Sequence, residues 1–209
     1  MVDIYRNFLE DDYATLLYNE ICKTPAIWWS YYIKTTAKAD PVFYSNTLNG
    51  LKSFKQKEKE LDPKTFSYKF MRSTAHVKNC DCYHCTFRKD VLTSKNFLDF
   101  LSVNTSVKKP KLSTDFVSIY NQGDYLGIHT DKGNSLAFVF NLTPDWRPEY
   151  GGLLNILEKG IKWQAIEPEF GSLLLFDVSG EGKAHFVSEI SKLAPSPRVA
   201  ISGWYDDES

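Results

Sequence analysis

After Pro110 the chain divides into eight short runs rich in β-branched and aromatic residues, at 114–120, 125–131, 136–142, 153–157, 161–166, 172–177, 184–188 and 198–204. Runs of this length, bounded by turn formers, read as strands. Asn121-Gln-Gly, Lys132-Gly-Asn, Glu158-Lys-Gly and Ser179-Gly-Glu-Gly punctuate them, since glycine reaches positive φ freely and asparagine bonds back to its own backbone. Eight such strands in succession suggest a double-sheet jelly roll. With 209 residues, 43% of them hydrophobic and 15% aromatic, the chain has enough apolar surface to fill one such core.

Organisation changes near residue 110. Before it, 10–21 reads as an amphipathic helix with acidic residues in its first turn, and 90–101 as a second, with Val91, Leu98 and Leu101 near helical spacing. The segments 28–33 and 66–70 look strand-like, while 35–64 is mixed and rich in turn formers. The resulting expectation is one domain over 1–209, mainly β with flanking α-helices. Residues 1–110 supply helical support and a lid, and 111–205 form the jelly-roll core. Trp28, Trp29, Tyr31 and Tyr32 could line a substrate channel, although such aromatic clusters are more often core.

Within the expected strands lie His129-Thr-Asp131, then His185, then Arg198. In an extended strand, residues i and i+2 project to the same face, so His129 and Asp131 can supply two ligands from one run. His185 completes two imidazoles and one carboxylate, the facial triad that leaves open positions on Fe(II). Arg198 adds a planar guanidinium able to hold a carboxylate through two parallel hydrogen bonds, as the distal carboxylate of 2-oxoglutarate requires. Strand parity puts Arg198, Ala200, Ser202 and Trp204 on one face.

The stretch from about 115 to 205 resembles the catalytic core of the Fe(II)- and 2-oxoglutarate-dependent oxygenases, and within them the prolyl hydroxylase group. Tyr120 stands ahead of His129-x-Asp131 as the family's cosubstrate-binding tyrosine does. Trp204 matches a family tryptophan that follows the basic residue. The segments Ala137-Phe-Val-Phe-Asn-Leu-Thr-Pro-Asp-Trp146, Gly151-Gly-Leu153, His185-Phe-Val-Ser-Glu189 and Ile201-Ser-Gly-Trp-Tyr205 are similar to those of the ribosomal-protein prolyl hydroxylases. The resemblance implies Fe(II) as metal, 2-oxoglutarate and O2 as cosubstrates, ascorbate in a supporting role, and cosubstrate contacts from Tyr120, Asn141, Arg198 and Trp204. It also implies hydroxylation of a prolyl residue in a protein or peptide. Asn141 stands where that branch has a cosubstrate-binding tyrosine, and Arg198-Val-Ala200 where it often reads Arg-x-Ser, so the substrate is less firmly implied than the cofactors. The branch's larger members carry a second barrel-like domain, for which little length remains after Tyr205. Two alternatives stay open: a hydroxylase of a free amino acid or small natural product, and a cupin-like metal-binding or sensing module without turnover, which would have no need of Arg198.

The formal net charge of -1 gives no global reason to expect nucleic acid or an anionic membrane as partner. No apolar stretch reaches the roughly 20 residues that span a bilayer, and Met1-Val-Asp-Ile-Tyr-Arg lacks a signal peptide's apolar segment, so a cytoplasmic location is expected. Four cysteines do not resemble a disulfide framework. Cys80-Asp-Cys82-Tyr-His84-Cys85 could clip zinc or copper, with only Cys22 and His76 as distant helpers, but ligands confined to one tight segment are unlike the paired knuckles of structural zinc sites. Reduced thiols dispensable for the chemistry are the default there.

Overall fold

Period-2 alternation on both faces of the central strands sets the layering. The computed structural model describes residues 2–73, 80–158 and 162–208. His76, the turn at Lys159-Gly160 and the first residue of the fifth expected run, Ile161, lie outside the described residues. In chain order the strands and helices are β1 (Val2–Tyr5), α1 (Asp11–Lys23), β2 (Trp29–Lys34), β3 (Val42–Ser45), α2 (Leu48–Glu58), β4 (Tyr68–Ser73), α3 (Tyr83–Phe87), α4 (Lys95–Asn104), β5 (Pro110–Tyr120), β6 (Tyr125–His129), β7 (Leu136–Asn141), β8 (Leu154–Glu158), β9 (Lys162–Ile166), β10 (Leu173–Asp177), β11 (His185–Val187) and β12 (Arg198–Asp207).

The strands form one antiparallel sheet in the order β1-β10-β7-β12-β5-β4-β6-β11-β8-β9, with β2 on β4 and β3 on β2. This is the expected jelly-roll arrangement, curled so that one half faces the other. All eight runs are strands, with shifted ends: β5 and β12 are longer than anticipated, and β6 stops at His129. Residues before 110 do more than brace the sheet, because β4 bridges β5 and β6 and so joins its two halves.

Leu173 and Leu175 of β10 belong to one apolar cluster, with α1 and α4, whereas Leu174 and Phe176 belong to the second, between the sheet halves. On β12, Val199, Ile201 and Tyr205 join the helix-side cluster, which frees the opposite face for Arg198, Ala200, Ser202 and Trp204. Burial on both faces explains why these strands read as near-continuous apolar runs. Gly203 has no room for a side chain: a Cβ there would lie 2.1 Å from Thr114 O and 2.8 Å from the Phe138 ring. Tyr205 is fully buried, and its hydroxyl donates to Leu92 O at 2.7 Å, tying the last strand to the helical layer.

Two expectations for the first half need correction. The anticipated helix over 90–101 is two elements, a π-helical stretch at Arg88–Leu92 and α4, because Ser94 accepts the Phe97 N–H at 3.2 Å and starts a new helix. The segment 35–64 holds β3 and the whole of α2, whose Phe54 is buried against Tyr31 with ring centroids 4.8 Å apart. It contributes no side chain to the central cavity described below. Of the aromatic cluster at its start, Tyr32 lines that cavity while Trp29 is core. Among the described residues no helix is long and apolar enough to cross a membrane.

Candidate metal and cosubstrate site

Two cross-strand pairs build the site. The β6–β11 register sets His129 directly opposite His185. Such partners have Cβ atoms about 5 Å apart, and here the ring centroids are 4.2 Å apart. Asp131 lies two residues beyond the end of β6 rather than within it, yet its carboxylate turns to the same point. Its Oδ1 is 3.3 Å from His129 Nε2 and its Oδ2 is 3.3 Å from His185 Nε2. Phe66 stacks on His129 at 4.9 Å, and Phe176 meets His185 edge-on at 5.0 Å, so both rings are held by aromatic walls.

The protonation pattern follows from the neighbours. His129 Nδ1 lies 2.9 Å from Gly127 O, and His185 Nδ1 lies 2.8 Å from Lys183 O. A carbonyl only accepts, so each Nδ1 carries a proton and each ring turns its Nε2 to the centre. Burial would raise the Asp131 carboxyl, but hydrogen bonds and positive charge from His129 and His185 outweigh it and hold the group below the ordinary carboxylate range. When the two Nε2 atoms carry no proton, their lone pairs and the ionised carboxylate repel one another unless a cation sits among them. The donor set of two nitrogens and one oxygen therefore fits a divalent cation of the Fe(II) type. Trp204 Nε1 donates to Asp131 Oδ2 at 2.8 Å, leaving Oδ1 as the oxygen not held by the indole.

The second pair is Tyr120 and Arg198, opposite each other across β5 and β12. The guanidinium carbon is 5.6 Å from the Tyr120 ring centroid, and both residues are 4% exposed. Burial raises the Tyr120 phenol and lowers the Arg198 guanidinium relative to their ordinary values. Arg198 Nη2 donates to Asn141 Oδ1 at 3.1 Å, and Asn141 Nδ2 donates to Ser172 Oγ at 3.1 Å. Asn141, expected to touch the cosubstrate, braces Arg198 and is not among the residues that line the cavity. Arg198 Nε is buried without a partner among the described residues. A buried cationic donor without a partner is costly, and a carboxylate satisfies it. The residues present thus fit a dicarboxylate with one end at Arg198.

Both pairs open onto one cavity of about 220 Å³, to which His129, Asp131, His185, Tyr120, Arg198 and Trp204 all contribute. Arg72 is a lining residue that sequence reasoning missed; its guanidinium carbon sits 3.9 Å from the Phe116 ring centroid. The signal was present. Tyr68, Phe70 and Arg72 share strand parity, but the expected run at 66–70 was closed two residues early. Tyr32, Phe66 and Tyr68 add an aromatic wall.

Comparisons with known proteins bear on the sequence and on the fold. Residues 116–206 match the family model of the 2OG-Fe(II) oxygenase superfamily. The chain is 27% identical to mouse prolyl 3-hydroxylase OGFOD1 over 66% of its own length and 26% of that protein's, so it spans about a quarter of this relative. Among solved structures, a Pseudomonas putida prolyl-4-hydroxylase superposes with a TM-score of 0.60 at 14% identity, covering 99% of this chain and 92% of that one. A Trichoplax adhaerens prolyl hydroxylase, solved with a hypoxia inducible factor peptide fragment, gives 0.61 at 18% identity over 99% and 84%. At these identities the structural matches show a shared fold.

Proposed function

We propose that this chain, which carries the core of the 2OG-Fe(II) oxygenase superfamily at residues 116–206, is a 2-oxoglutarate-dependent dioxygenase that hydroxylates a C–H bond of a prolyl residue in a protein or peptide. His129, Asp131 and His185 hold Fe(II), and Arg198 with Tyr120 holds the far carboxylate of 2-oxoglutarate. The observation that carries the reading is the pairing of unmet demands in one cavity: three converging electron-pair donors at one wall and the partnerless Arg198 Nε at another. Bound Fe(II) supplies activation of O2, coupled to decarboxylation of 2-oxoglutarate to succinate and CO2.

The chain's own residues set the geometry. The Gly127 and Lys183 carbonyls fix the imidazole tautomers. Trp204 orients Asp131, and Asn141 locks Arg198 from behind. Phe66, Tyr68, Phe70, Leu154, Phe176 and Val187 line the cavity and restrict water around the reacting centre. An aromatic wall of Tyr32, Phe66 and Tyr68 suits the apolar ring of proline.

Prolyl substrate is supported by the names of the mouse relative and of the Trichoplax protein with its peptide. On this reading residues 1–209 act as one oxygenase domain, ascorbate serves as a supporting reductant, and the protein works in the cytoplasm. A succinate-release screen with Fe(II) and 2-oxoglutarate, against proline-containing peptides and free amino acids, tests it. Peptide-dependent succinate that is lost in His185→Ala is the expected result. Preferred turnover of a free amino acid would move the assignment to a small-molecule hydroxylase, and metal binding without 2-oxoglutarate affinity would move it to a sensing module.

A further inference from the structure

Outside the oxygenase site, a second group of ligand atoms converges. The sulfurs of Cys80, Cys82 and Cys85 all lie within 4.8 Å of one another. Three thiolates around one zinc at about 2.3 Å sit about 3.8 Å apart in tetrahedral geometry, so the observed spread is close to a coordination shell. Among the described residues no cysteine is in a disulfide. His84, inside the same motif, turns its Nε2 to Asp115 Oδ2 at 2.8 Å, so the sulfurs are the common donors of the segment.

The segment has a mechanical reason to be clipped. The helix α3 has five residues, too few to hold itself in water. It nonetheless delivers Phe87, fully buried, to the helix-side core, and His84 to Asp115 on β5. Asp115 adjoins Phe116, over whose ring the cavity residue Arg72 lies. Cys80 and Cys82 precede the helix and Cys85 is within it, so one ion bound by all three would fix the entry of the chain into this turn. A cavity of about 270 Å³ lies beside Cys80 and Cys82.

We propose that Cys80, Cys82 and Cys85 form a three-thiolate site for a thiophilic d10 cation, Zn(II) or Cu(I), that pins the α3 segment against β5. Thiolate donors select these soft ions over the hard ones, whereas His129, Asp131 and His185 contain no sulfur.

The full chain, purified under reducing conditions without chelator, is first analysed for zinc and copper, which separates the two ions. Metal-stripped protein is then titrated with Co(II), whose thiolate-to-metal charge-transfer absorption in the near ultraviolet marks sulfur ligation. Expected are about one equivalent of zinc or copper per chain and, on titration, a near-ultraviolet Co(II) band. The band should persist in His185→Ala and be lost in Cys80→Ser and in Cys85→Ser, each tested singly so that misfolding of a triple variant does not decide the matter. Circular dichroism of each variant checks its fold. A reduced, folded wild-type protein that gives no such band at saturating Co(II), or one whose band survives both cysteine changes, overturns the site. So does recovery of metal-free protein with a disulfide between two of these cysteines, which would make them a redox pair.

Discussion

Replacing Trp204 by phenylalanine should weaken metal binding although residue 204 is not itself a ligand. The change removes the Nε1–H that donates to Asp131 Oδ2 at 2.8 Å and keeps a ring that can pack against Phe116, 5.8 Å away between centroids. A hydrogen bond to a charged group contributes about 1.5–3 kcal/mol. The Asp131 side chain is 12% exposed, so water replaces the lost donor poorly. The carboxylate is then free to rotate away from the point shared with His129 and His185. Partners that orient a ligand typically govern metal affinity by about 10–100-fold, and a loss of that size is expected here. The assay is anaerobic titration with Fe(II), or with Mn(II) as an oxygen-stable substitute, in the absence of 2-oxoglutarate. Circular dichroism of the metal-free protein checks the fold. Wild-type metal affinity in folded Trp204→Phe would refute the orienting role. If 2-oxoglutarate affinity fell instead, Trp204 would act on the cosubstrate, as the family resemblance first implied.

Arg198→Lys keeps a charge but loses the planar fork, so 2-oxoglutarate affinity should drop at least about tenfold while metal affinity stays within about twofold; calorimetric titration of each ligand checks this, and equal losses of both would contradict it. Gly152→Ala should give the same split from further away, because φ is +69 to +65 across Gly151-Gly152 and a Cβ on Gly152 would meet Ile190 Cδ1 at 2.5 Å and Arg198 Cδ at 3.0 Å; unchanged 2-oxoglutarate affinity would show that the Arg198 stem is not held there. Asp124 is 6% exposed, and burial pushes its carboxyl up to about 7 although it accepts the Asn121 N–H at 2.8 Å. Its folded pKa is raised, so the folded state holds the proton more tightly and stability falls as pH rises from about 4 to about 7, by up to about 4 kcal/mol. Urea unfolding of Asp124→Asn across that range should remove the slope, and parallel wild-type and variant profiles would refute the assignment.

The strands of the second half were legible because most alternate between two buried faces, a pattern local to each run. The convergence of the candidate residues was legible for the same reason, since His129, His185 and Arg198 sit on strands whose parity can be counted. Asp131 was expected within the strand and lies two residues beyond it, because nothing local says that β6 stops at His129. The position of Asn141 depends on the register that pairs it with Ala200 beside Arg198, which is a tertiary fact. β1 was missed because its partner β10 lies more than 160 residues away in sequence and four residues carry little pattern. The helix α2 was missed because Asn49 and Gly50 read as turn formers and Phe54 is its one buried residue, although Thr47, whose Oγ1 accepts the Gly50 N–H at 3.1 Å, is a recognisable N-cap.

The central claim is that one cavity couples 2-oxoglutarate decarboxylation to hydroxylation of a prolyl residue. The most direct test is turnover of a proline-containing peptide under ¹⁸O₂ with Fe(II) and 2-oxoglutarate, followed by mass spectrometry of both products. The account predicts one labelled oxygen in succinate and one in the hydroxylated peptide, and neither product in His129→Ala. Hydroxylated peptide without labelled succinate, or turnover that survives loss of His129, would contradict it.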